Sequence, residues 1–333
     1  MFLIAVFGKE SYIRVWREDF GYDGPKNELD DLEKRYDSKK MKKIDKAIQI
    51  MINATDKCDF TSESQTGKQI AKSVLQGFQK CVVPIFNYFQ NDSMRFFENW
   101  VNSSRKCDYI DEFRKLNVHG VANNEEIKWL IYPKCQEENH HVTLGVGRNI
   151  NAERKLKKHQ PNTRFYAVDP MIEVNYDLVT DQLNGSFFAF ALANETKPQT
   201  FYVLIDDGTL KKKRLYVPRL VPTLDVAFFF EKLLQLKRID SMFIDIEGGE
   251  NYFLEYFKKD GKFDKIGLTI CQFNFEFHNG HIGSHETEIH RLFRQTIEDE
   301  RYIFMRASHH TPGFWKIYFL NIENRECVKK FFG

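Results

Sequence analysis

The sequence of 333 residues lacks a long apolar run. The longest such run near its N-terminus is Phe2 to Phe7, far short of the ~20 residues that a helix needs to cross a bilayer. The same segment has no basic residues ahead of it and no small-residue cleavage site behind it, so it makes a poor signal peptide. We therefore expect no transmembrane helix, and membrane association is not evident.

An excess of charge of either sign is also missing. Lys and Arg number 49 against 47 Asp and Glu, which leaves a formal charge of +2. A global positive field of the kind that attracts phosphate backbones is therefore absent. We expect no nucleic-acid partner.

No two of the cysteines form a C-x-x-C pair, which argues against zinc ribbons and thioredoxin-like redox chemistry. The six are Cys58, Cys81, Cys107, Cys135, Cys271 and Cys327. Their even number permits disulfides, and buried free thiols in a cytosolic protein are the alternative.

Glycosylation sequons, in contrast, are abundant. Five N-x-[ST] motifs occur where random pairing of the residues present would give about two. They begin at Asn53, Asn91, Asn102, Asn184 and Asn194. This excess favours the secretory pathway over the cytoplasm, although the sequence does not decide the location.

The chain divides by pattern into two parts. Residues 1–110 form a charged and helical extension: a stretch from Tyr22 to Lys46 mixes both signs, and apolar residues between Gly67 and Trp100 recur at helical spacing, with a break predicted at Pro84. Residues 111–333 alternate short apolar strands with amphipathic helices, which is typical of a parallel sheet. We interpret the second part as the functional domain.

Within residues 111–333 the pattern predicts a particular series of elements. The predicted strands are HVTLGV, RFYAVD, SFFAFAL, SMFIDI, KIGLTICQFNFEF, YIFMRAS and WKIYFLN, with a β-ribbon turning at Asp207-Gly208. The predicted helices cover 151–160, a segment from Ile172, 224–236, 250–258 and 286–300. The last two strands lie too close for a helical crossover, so we expect them to pair as an antiparallel hairpin.

A glycine turn follows the first of these strands. Gly145-x-Gly147 between a strand and a helix lets the backbone approach a ligand closely, with a helix N-terminus facing a polar group. Asp169 ends the next strand, 22 residues beyond Gly147, where a carboxylate can accept hydrogen bonds from both ribose hydroxyls. The pair indicates a nucleoside cofactor, the alternative being a tight turn beside an ordinary surface Asp. Because Asn149 stands where a third glycine would pack near a pyrophosphate, a nicotinamide dinucleotide is disfavoured.

A second motif, IDSMFIDIEGGE, places Asp245 and Glu247 at the end of a central strand, directly before two glycines. Ligands bind at that end of a doubly wound sheet. The alternative is a helix-capping role, which we assign to Glu250 in the following turn.

Together these motifs resemble the FkbM family of S-adenosylmethionine-dependent methyltransferases. The stretch PTLDVAFFFEKLLQLKRIDSMFIDIEGGE carries the resemblance, through Thr223-Leu224-Asp225 and through Asp240 and the Ile-Asp-Ile-Glu-Gly segment 244–248. The similarity spans roughly Val142 to Asn321. With VTLGVGRNINAE and FLNIENREC included, the whole is similar to the nematode-type branch of the family.

The resemblance implies a Rossmann-like class I methyltransferase fold, with a mainly parallel seven-stranded sheet, a C-terminal antiparallel hairpin and here an N-terminal helical extension. It also implies S-adenosylmethionine as cofactor and an O-methyltransferase ancestry. The cofactor-binding set that it implies is Thr143, Gly145, Gly147, Asn149, Asp169 and Asp245.

Three positions depart from the family pattern. Thr143 replaces the usual acid before the first glycine, Asn149 replaces the third glycine, and Phe243 replaces a common Lys. Each departure could weaken cofactor binding. Glu153, one turn into the following helix, could partly replace the missing acid.

Methylation of a hydroxyl needs alignment of the two reactants and a base for the hydroxyl proton. The predicted catalytic residues are Asp245, Glu247 and His278, the last being the candidate base. His278 ends a polar stripe on CQFNFEFH, and the alternative is that this stripe extends into a wet loop. The expected acceptor is a small molecule or a glycan, whereas oligomeric state is not decided by the sequence.

We expect no metal, because the histidines at 278, 281, 285 and 290 are not spaced to share one face and no H-E-x-x-H helix is present. Two other functions remain open. One is a binding protein that keeps the fold without catalysis, favoured by Thr143 and Asn149. The other is an NAD-dependent dehydrogenase, which the missing third glycine opposes.

Overall fold

The computed structural model describes residues 56–123, 126–205, 215–278, 286–309 and 314–333. The charged segment from Tyr22 to Lys46, the sequon at Asn53, the Asp207-Gly208 turn and the histidines at 281 and 285 lie outside the described residues.

The centre of the protein is a twisted seven-stranded sheet. The strands are β1 (His119–Ala122), β2 (Ile127–Leu130), β3 (Asn139–Leu144), β4 (Thr163–Val168), β5 (Ser186–Phe188), β6 (Ala191–Ala193), β7 (Gln199–Ile205), β8 (Leu215–Val221), β9 (Thr223–Asp225), β10 (Arg238–Ile239), β11 (Ser241–Ile244), β12 (Thr269–Ile270), β13 (Gln272–His278), β14 (Tyr302–His309) and β15 (Phe314–Asn321). The central sheet has the order β14-β15-β13-β11-β3-β4-β5. Five neighbouring strands from β13 to β5 run parallel, and β15 pairs antiparallel with both β13 and β14.

This order confirms the predicted fold class, including the C-terminal hairpin. The chain leaves β3 toward β4 and β5 on one side and later returns to β11 and β13 on the other. The carboxyl ends of β3 and β11 therefore form the topological switch point, where an open α/β sheet binds its ligands.

Helices cover both faces of the sheet. They are α1 (Gln65–Phe89), α2 (Ser93–Ser104), α3 (Asp111–Arg114), α4 (Asn151–His159), α5 (Ile172–Asp177), α6 (Val226–Phe228), α7 (Lys262–Lys265), α8 (Glu286–Asp299) and α9 (Arg325–Phe332). α5 and α6 each continue into a π-helical turn, and 3₁₀ turns cover Arg105–Tyr109 and Gly249–Phe253. Side chains alternate along β11, so Met242 and Ile244 join one apolar core and Phe243 joins the other.

The N-terminal helices are packed into the larger of these cores. The Phe78 ring of α1 contacts the Phe304 ring at 4.9 Å, and the Phe97 ring of α2 stacks on Trp315 at 4.6 Å. α1 and α2 therefore bury one side of the terminal hairpin. The division of function between residues 1–110 and 111–333 remains a prediction.

Helix α1 corrects the predicted break at Pro84. It runs through this proline without interruption, and the chain turns only at residues 90–92 before α2. A proline inside a helix removes one hydrogen bond, to the carbonyl four residues earlier. Both Pro84 and Lys80 lie on the exposed face of the helix, while buried Val82 and Phe86 hold the opposite face against the core.

Three other predicted elements are altered. The segment SFFAFAL forms two strands, of which β5 joins the central sheet and β6 pairs with β9. The helix predicted from residue 224 begins at Val226, because the Asp225 side chain accepts a hydrogen bond from the Phe228 N–H and caps it. The helix predicted over 250–258 is wrong: a 3₁₀ turn and a series of bends occupy this region.

All six cysteines form disulfides, which decides between the two alternatives left by the sequence. The pairs are Cys58–Cys135, Cys81–Cys107 and Cys271–Cys327. Each joins segments distant in the chain, and such links stabilise a fold chiefly by restricting its unfolded state. Among the described residues no helix has the length and apolar character to cross a membrane.

Candidate functional site

One cavity lies at the switch point of the sheet. The residues of the predicted cofactor-binding set all line it: Thr143, Gly145, Gly147, Asn149, Asp169 and Asp245. Glu247 lines the same cavity, whereas His278 does not and lies behind Asp245. An apolar wall is formed by Phe190, which directly precedes β6, by Leu192 on β6 and by Phe201 on β7.

The glycine turn forms the floor of the cavity. Gly145 has φ +83°, and a Cβ at this position would lie 1.8 Å from the Asp245 carbonyl oxygen. Only glycine therefore fits between β3 and the end of β11. Gly147 has φ +58°, and nothing lies within 4 Å of a Cβ built there, so this part of the turn faces open space.

Asp169 fastens the glycine turn from the end of β4. Its Oδ2 accepts hydrogen bonds from the N–H of Val146 at 2.9 Å and of Gly147 at 3.4 Å, and its Oδ1 accepts one from Met171 N–H at 2.8 Å. Burial raises the pKa of Asp169, although these backbone donors act in the opposite direction. The carboxylate therefore positions the loop, and its predicted contact with a ribose remains a prediction.

The loop after β11 is held by Glu250. Its carboxylate accepts hydrogen bonds from the Ile246 N–H at 2.8 Å and the Gly248 N–H at 2.9 Å. Glu247 between them has φ +54°, a conformation that is uncommon outside glycine and that occurs at functional sites. Instead of capping a long helix, Glu250 fixes the turn that directs Glu247 into the cavity wall.

His278 lies among four carboxylates. Its Nδ1 is 3.0 Å from Glu250 Oε1. Its Nε2 lies 3.4 to 3.6 Å from carboxylate oxygens of three further residues, Asp245, Glu247 and Glu276. The candidate catalytic residues that the sequence predicted are thus brought into one cluster.

Two lysines complete this charged cluster. Lys128 Nζ, from β2, is 2.7 Å from Glu126 Oε1. Lys316 Nζ, from β15, lies 2.9 Å from Glu126 Oε2 and 3.0 Å from Glu276 Oε2. Lys128 also lies 5.8 Å from the centre of the Phe243 ring, so an ammonium approaches the position where the family pattern has lysine.

The cluster has unusual ionisation. Burial lowers the pKa of His278, but Glu250, Asp245 and Glu247 together raise it to about 10, so the imidazole is cationic at neutral pH. Burial and the nearby Asp245 raise the pKa of Glu276 to about 8. For Asp245 the effect of burial is exceeded by Lys128, His278 and Lys316, which lower its pKa and keep it ionised.

These pKa values bear on the predicted base. An imidazolium has no free lone pair, so at neutral pH it stabilises negative charge and does not accept a proton. Asp245 is ionised and lines the cavity. The role of His278 as base remains a prediction, and of its carboxylate neighbours Asp245 and Glu247 line the cavity.

The polar stripe on β13 is buried and does not enter a wet loop. Asn274 accepts a hydrogen bond from the Trp129 N–H and donates one to its carbonyl, each at 2.7 Å. Gln272 does the same with Ile131, at 2.8 and 3.0 Å. The two amides thus hold β2 on the face of the sheet, and only the last two members of the stripe, Glu276 and His278, enter the charged cluster.

Sequence reasoning missed Glu126, Lys128 and Lys316. Glu126 directly precedes β2, Lys128 lies on β2 and Lys316 lies on β15, and an alternating pattern favours a solvated face for such charged residues. The only signal was the position of Glu126 and Lys128 on the same side of EIKWL as Leu130. This alternation does not by itself place Glu126 and Lys128 in the site, because their location depends on the packing of β2 against β13.

Two groups in the cluster have the composition of a metal site. Ligand atoms of Asp245, Glu250 and His278 lie within 4.8 Å of one another, as do those of Glu126, Asp245 and Glu276. The ammonium groups of Lys128 and Lys316 and the cationic His278 already balance much of this negative charge. We therefore interpret this group of side chains as an ion-pair network.

Comparison with protein families decides the identity of the fold. Residues 87–304 match the methyltransferase FkbM domain. The chain belongs to the FkbM methyltransferase family. Enzymes of this family depend on S-adenosylmethionine, which is therefore the cofactor of this FkbM protein.

Solved structures give weaker similarities to the FkbM protein, and no curated protein matches it. The fibrillarin–Nop5p complex gives 10% identity and a TM-score of 0.33, covering 55% of this chain and 73% of that chain. Fibrillarin from Aeropyrum pernix, crystallised with S-adenosyl-L-methionine, has 13% sequence identity and a TM-score of 0.29, and the match covers 56% of this chain and 67% of that chain. Precorrin-6y C5,15-methyltransferase from Geobacter metallireducens has 13% sequence identity and a TM-score of 0.30, and the match covers 56% of this chain and 82% of that chain.

The cavity of the FkbM protein fits its cofactor. The glycine turn leaves open space beyond Gly147, as a bound nucleoside requires. The walls are apolar where Phe190, Leu192 and Phe201 stand, and acidic at Glu153, Asp169 and Asp245. An apolar surface suits the purine of this cofactor, and an acidic surface suits its sulfonium and α-ammonium groups.

Proposed function

We propose that this protein methylates a hydroxyl group of a small-molecule or glycan acceptor. The observation that carries the proposal is the charged cluster behind the cavity, from which ionised Asp245 and Glu247 both line the wall. A hydroxyl must lose its proton as it is methylated, and a carboxylate at the reacting centre can accept that proton. We also keep the nematode-type branch as a hypothesis, on the motifs VTLGVGRNINAE and FLNIENREC.

Each part of the site has a distinct task in this proposal. When bound, S-adenosylmethionine supplies an electrophilic methyl group. The glycine turn and Asp169 hold the nucleoside end, and Glu247 or Asp245 orients the acceptor and takes its proton. Lys128 and His278 keep Asp245 ionised, because a nearby cation lowers the pKa of a carboxylate.

The test is transfer of a labelled methyl group from S-adenosylmethionine to a panel of monosaccharides, short oligosaccharides and phenols. We expect label in an oxygen-linked methyl group of at least one compound. Glu247→Gln should lower kcat by about 10²–10⁴-fold, the usual contribution of a general base, without weakening cofactor binding. Glu98→Gln, at an exposed position on α2, is the matched control.

Two results would contradict the proposal. Label recovered only in nitrogen- or carbon-linked methyl groups would exclude O-methylation. Cofactor binding without transfer to any compound of the panel would favour the alternative of a binding protein that keeps the fold.

We further propose that the chain matures in the secretory pathway. All six cysteines are paired, as is usual in oxidising compartments. The four sequon asparagines in the described residues, Asn91, Asn102, Asn184 and Asn194, are all exposed, and none of them lines the cofactor cavity. Glycans at these positions would leave the cavity open.

Deglycosylation tests the proposed compartment. We expect the protein from its native cells, or secreted from a eukaryotic host, to run at a lower mass after peptide-N-glycosidase treatment. Single Asn→Gln changes at the four exposed sequons should each remove one step of that shift. Asn87→Gln, at an exposed asparagine outside any sequon, should leave the shift intact. A native protein that does not shift would contradict the proposed location.

A further inference from the structure

Five carboxylates line the cofactor cavity, and they differ in what balances their charge. They are Glu126, Glu153, Asp169, Asp245 and Glu247. Glu126 has two lysine partners, Asp245 and Glu247 face His278, and Asp169 accepts three backbone N–H groups. Within the part of the chain that the structure describes, no Lys, Arg or His lies at ion-pair distance from Glu153.

Glu153 is nevertheless deeply buried, with 5% of its surface exposed. It lies in the first turn of α4, directly after the glycine turn. Burial raises the pKa of its carboxyl group, although the Thr143 hydrogen bond and the more distant Lys128 act in the opposite direction. A buried carboxylate without a cation is costly, and none of the described residues supplies one, so a cationic group bound in the cavity would stabilise it.

The groups that orient Glu153 are all neutral. The Thr143 hydroxyl donates to Glu153 Oε1 at 2.9 Å. His141 Nε2 lies 3.1 Å from Thr143 Oγ1, and His141 Nδ1 lies 2.7 Å from Ser241 Oγ. Because burial lowers the pKa of His141 to about 3, this ring is uncharged and cannot neutralise the carboxylate through the network.

We propose that Glu153 binds the α-ammonium group at the amino-acid end of S-adenosylmethionine. The inference rests on the cofactor of the family and concerns one residue of this chain. The Thr143–His141–Ser241 network fixes the Glu153 side chain, and a charge-assisted hydrogen bond from the ammonium group supplies the missing positive charge. A carboxylate from α4 thus replaces the acid that Thr143 displaces on β3.

Two ligands that differ only in the amino-acid end, which carries an α-ammonium and an α-carboxylate group, localise the contact to that end. S-adenosylhomocysteine has the ammonium group, whereas 5′-methylthioadenosine has the same nucleoside thioether without it. Calorimetry with Glu153→Gln should show about 10–100-fold weaker binding of S-adenosylhomocysteine, the range for a hydrogen bond to a charged group, and unchanged binding of 5′-methylthioadenosine. Adding Thr143→Asp to this variant should recover part of the lost affinity, and Glu98→Gln is the control.

The outcomes distinguish failure of the Glu153 proposal from failure of the cofactor assignment on which it rests. An equal loss of affinity for both ligands would mean that Glu153 only supports the glycine turn, and unchanged affinity for both would mean that the ammonium group binds elsewhere. Either result would overturn the role of Glu153 while leaving the cofactor and O-methylation intact. A wild-type protein that binds neither ligand would overturn the cofactor assignment and this proposal with it.

Discussion

Gly145→Ala is expected to abolish cofactor binding and to destabilise the folded protein severely. The added Cβ would lie 1.8 Å from the Asp245 carbonyl oxygen, and the backbone there has φ +83°. Neither strand can move aside easily, because β3 and β11 are hydrogen-bonded neighbours in the sheet. We expect a loss of more than about 3 kcal/mol in unfolding free energy, as for other substitutions that overpack a core.

Gly147→Ala is the matched comparison for this prediction. It shares a positive φ, +58°, but its Cβ would meet nothing within 4 Å. We expect a cost of about 1–2 kcal/mol for an alanine in the left-handed region, and weaker cofactor binding in a protein that still folds. Thermal melting and calorimetry with S-adenosylhomocysteine measure both effects. If Gly145→Ala melted like the wild type, the close contact between the glycine turn and the end of β11 would be refuted.

Asp169→Ala has the second largest expected effect. It removes the acceptor of three backbone N–H groups and so releases the glycine turn at Val146 and Gly147 and the chain at Met171. Unsatisfied buried donors of this kind should cost about 2–4 kcal/mol in unfolding free energy, and S-adenosylhomocysteine binding should be lost. Asp177→Ala, an exposed acid on α5, should change neither quantity.

A milder variant distinguishes the loop contacts of Asp169 from its predicted ribose contact. Asp169→Asn keeps one acceptor oxygen for the loop and loses the charge. The wild type should bind adenosine more tightly than 2′,3′-dideoxyadenosine, and Asp169→Asn should reduce this preference. Equal affinity of the wild type for the two nucleosides would refute the predicted ribose contact, and the role of Asp169 would then be to position the glycine turn.

The sequence predicted well what depends on local pattern. The strands of the central sheet and the terminal hairpin follow from alternation and spacing, and the glycine turn follows from Gly145 and Gly147. Because parallel strands present their carboxyl ends at one edge, the residues of two separate motifs could be expected in one cavity. The structure places Asp169 and Asp245 there together.

The rest depends on contacts between distant segments, which local patterns do not contain. Pro84 predicted a helix break, but packing of Val82 and Phe86 maintains the helix through it. Glu250 predicted a helix start, but its carboxylate is used by the backbone of the preceding turn. Lys128 reaches the charged cluster only because side chains of β13, more than 140 residues later, hold its strand in place.

The attachment of β2 through two side-chain amides has a consequence for how such an enzyme can diversify. An ordinary strand is joined to its neighbour by a backbone ladder that no substitution can delete, whereas β2 meets β13 through Gln272 and Asn274. Two point mutations could therefore reposition the hairpin that brings Glu126 and Lys128 to the site, while the glycine turn stays intact. Changes at Gln272 and Asn274 would thus alter the charged wall of the cavity and leave its glycine floor in place.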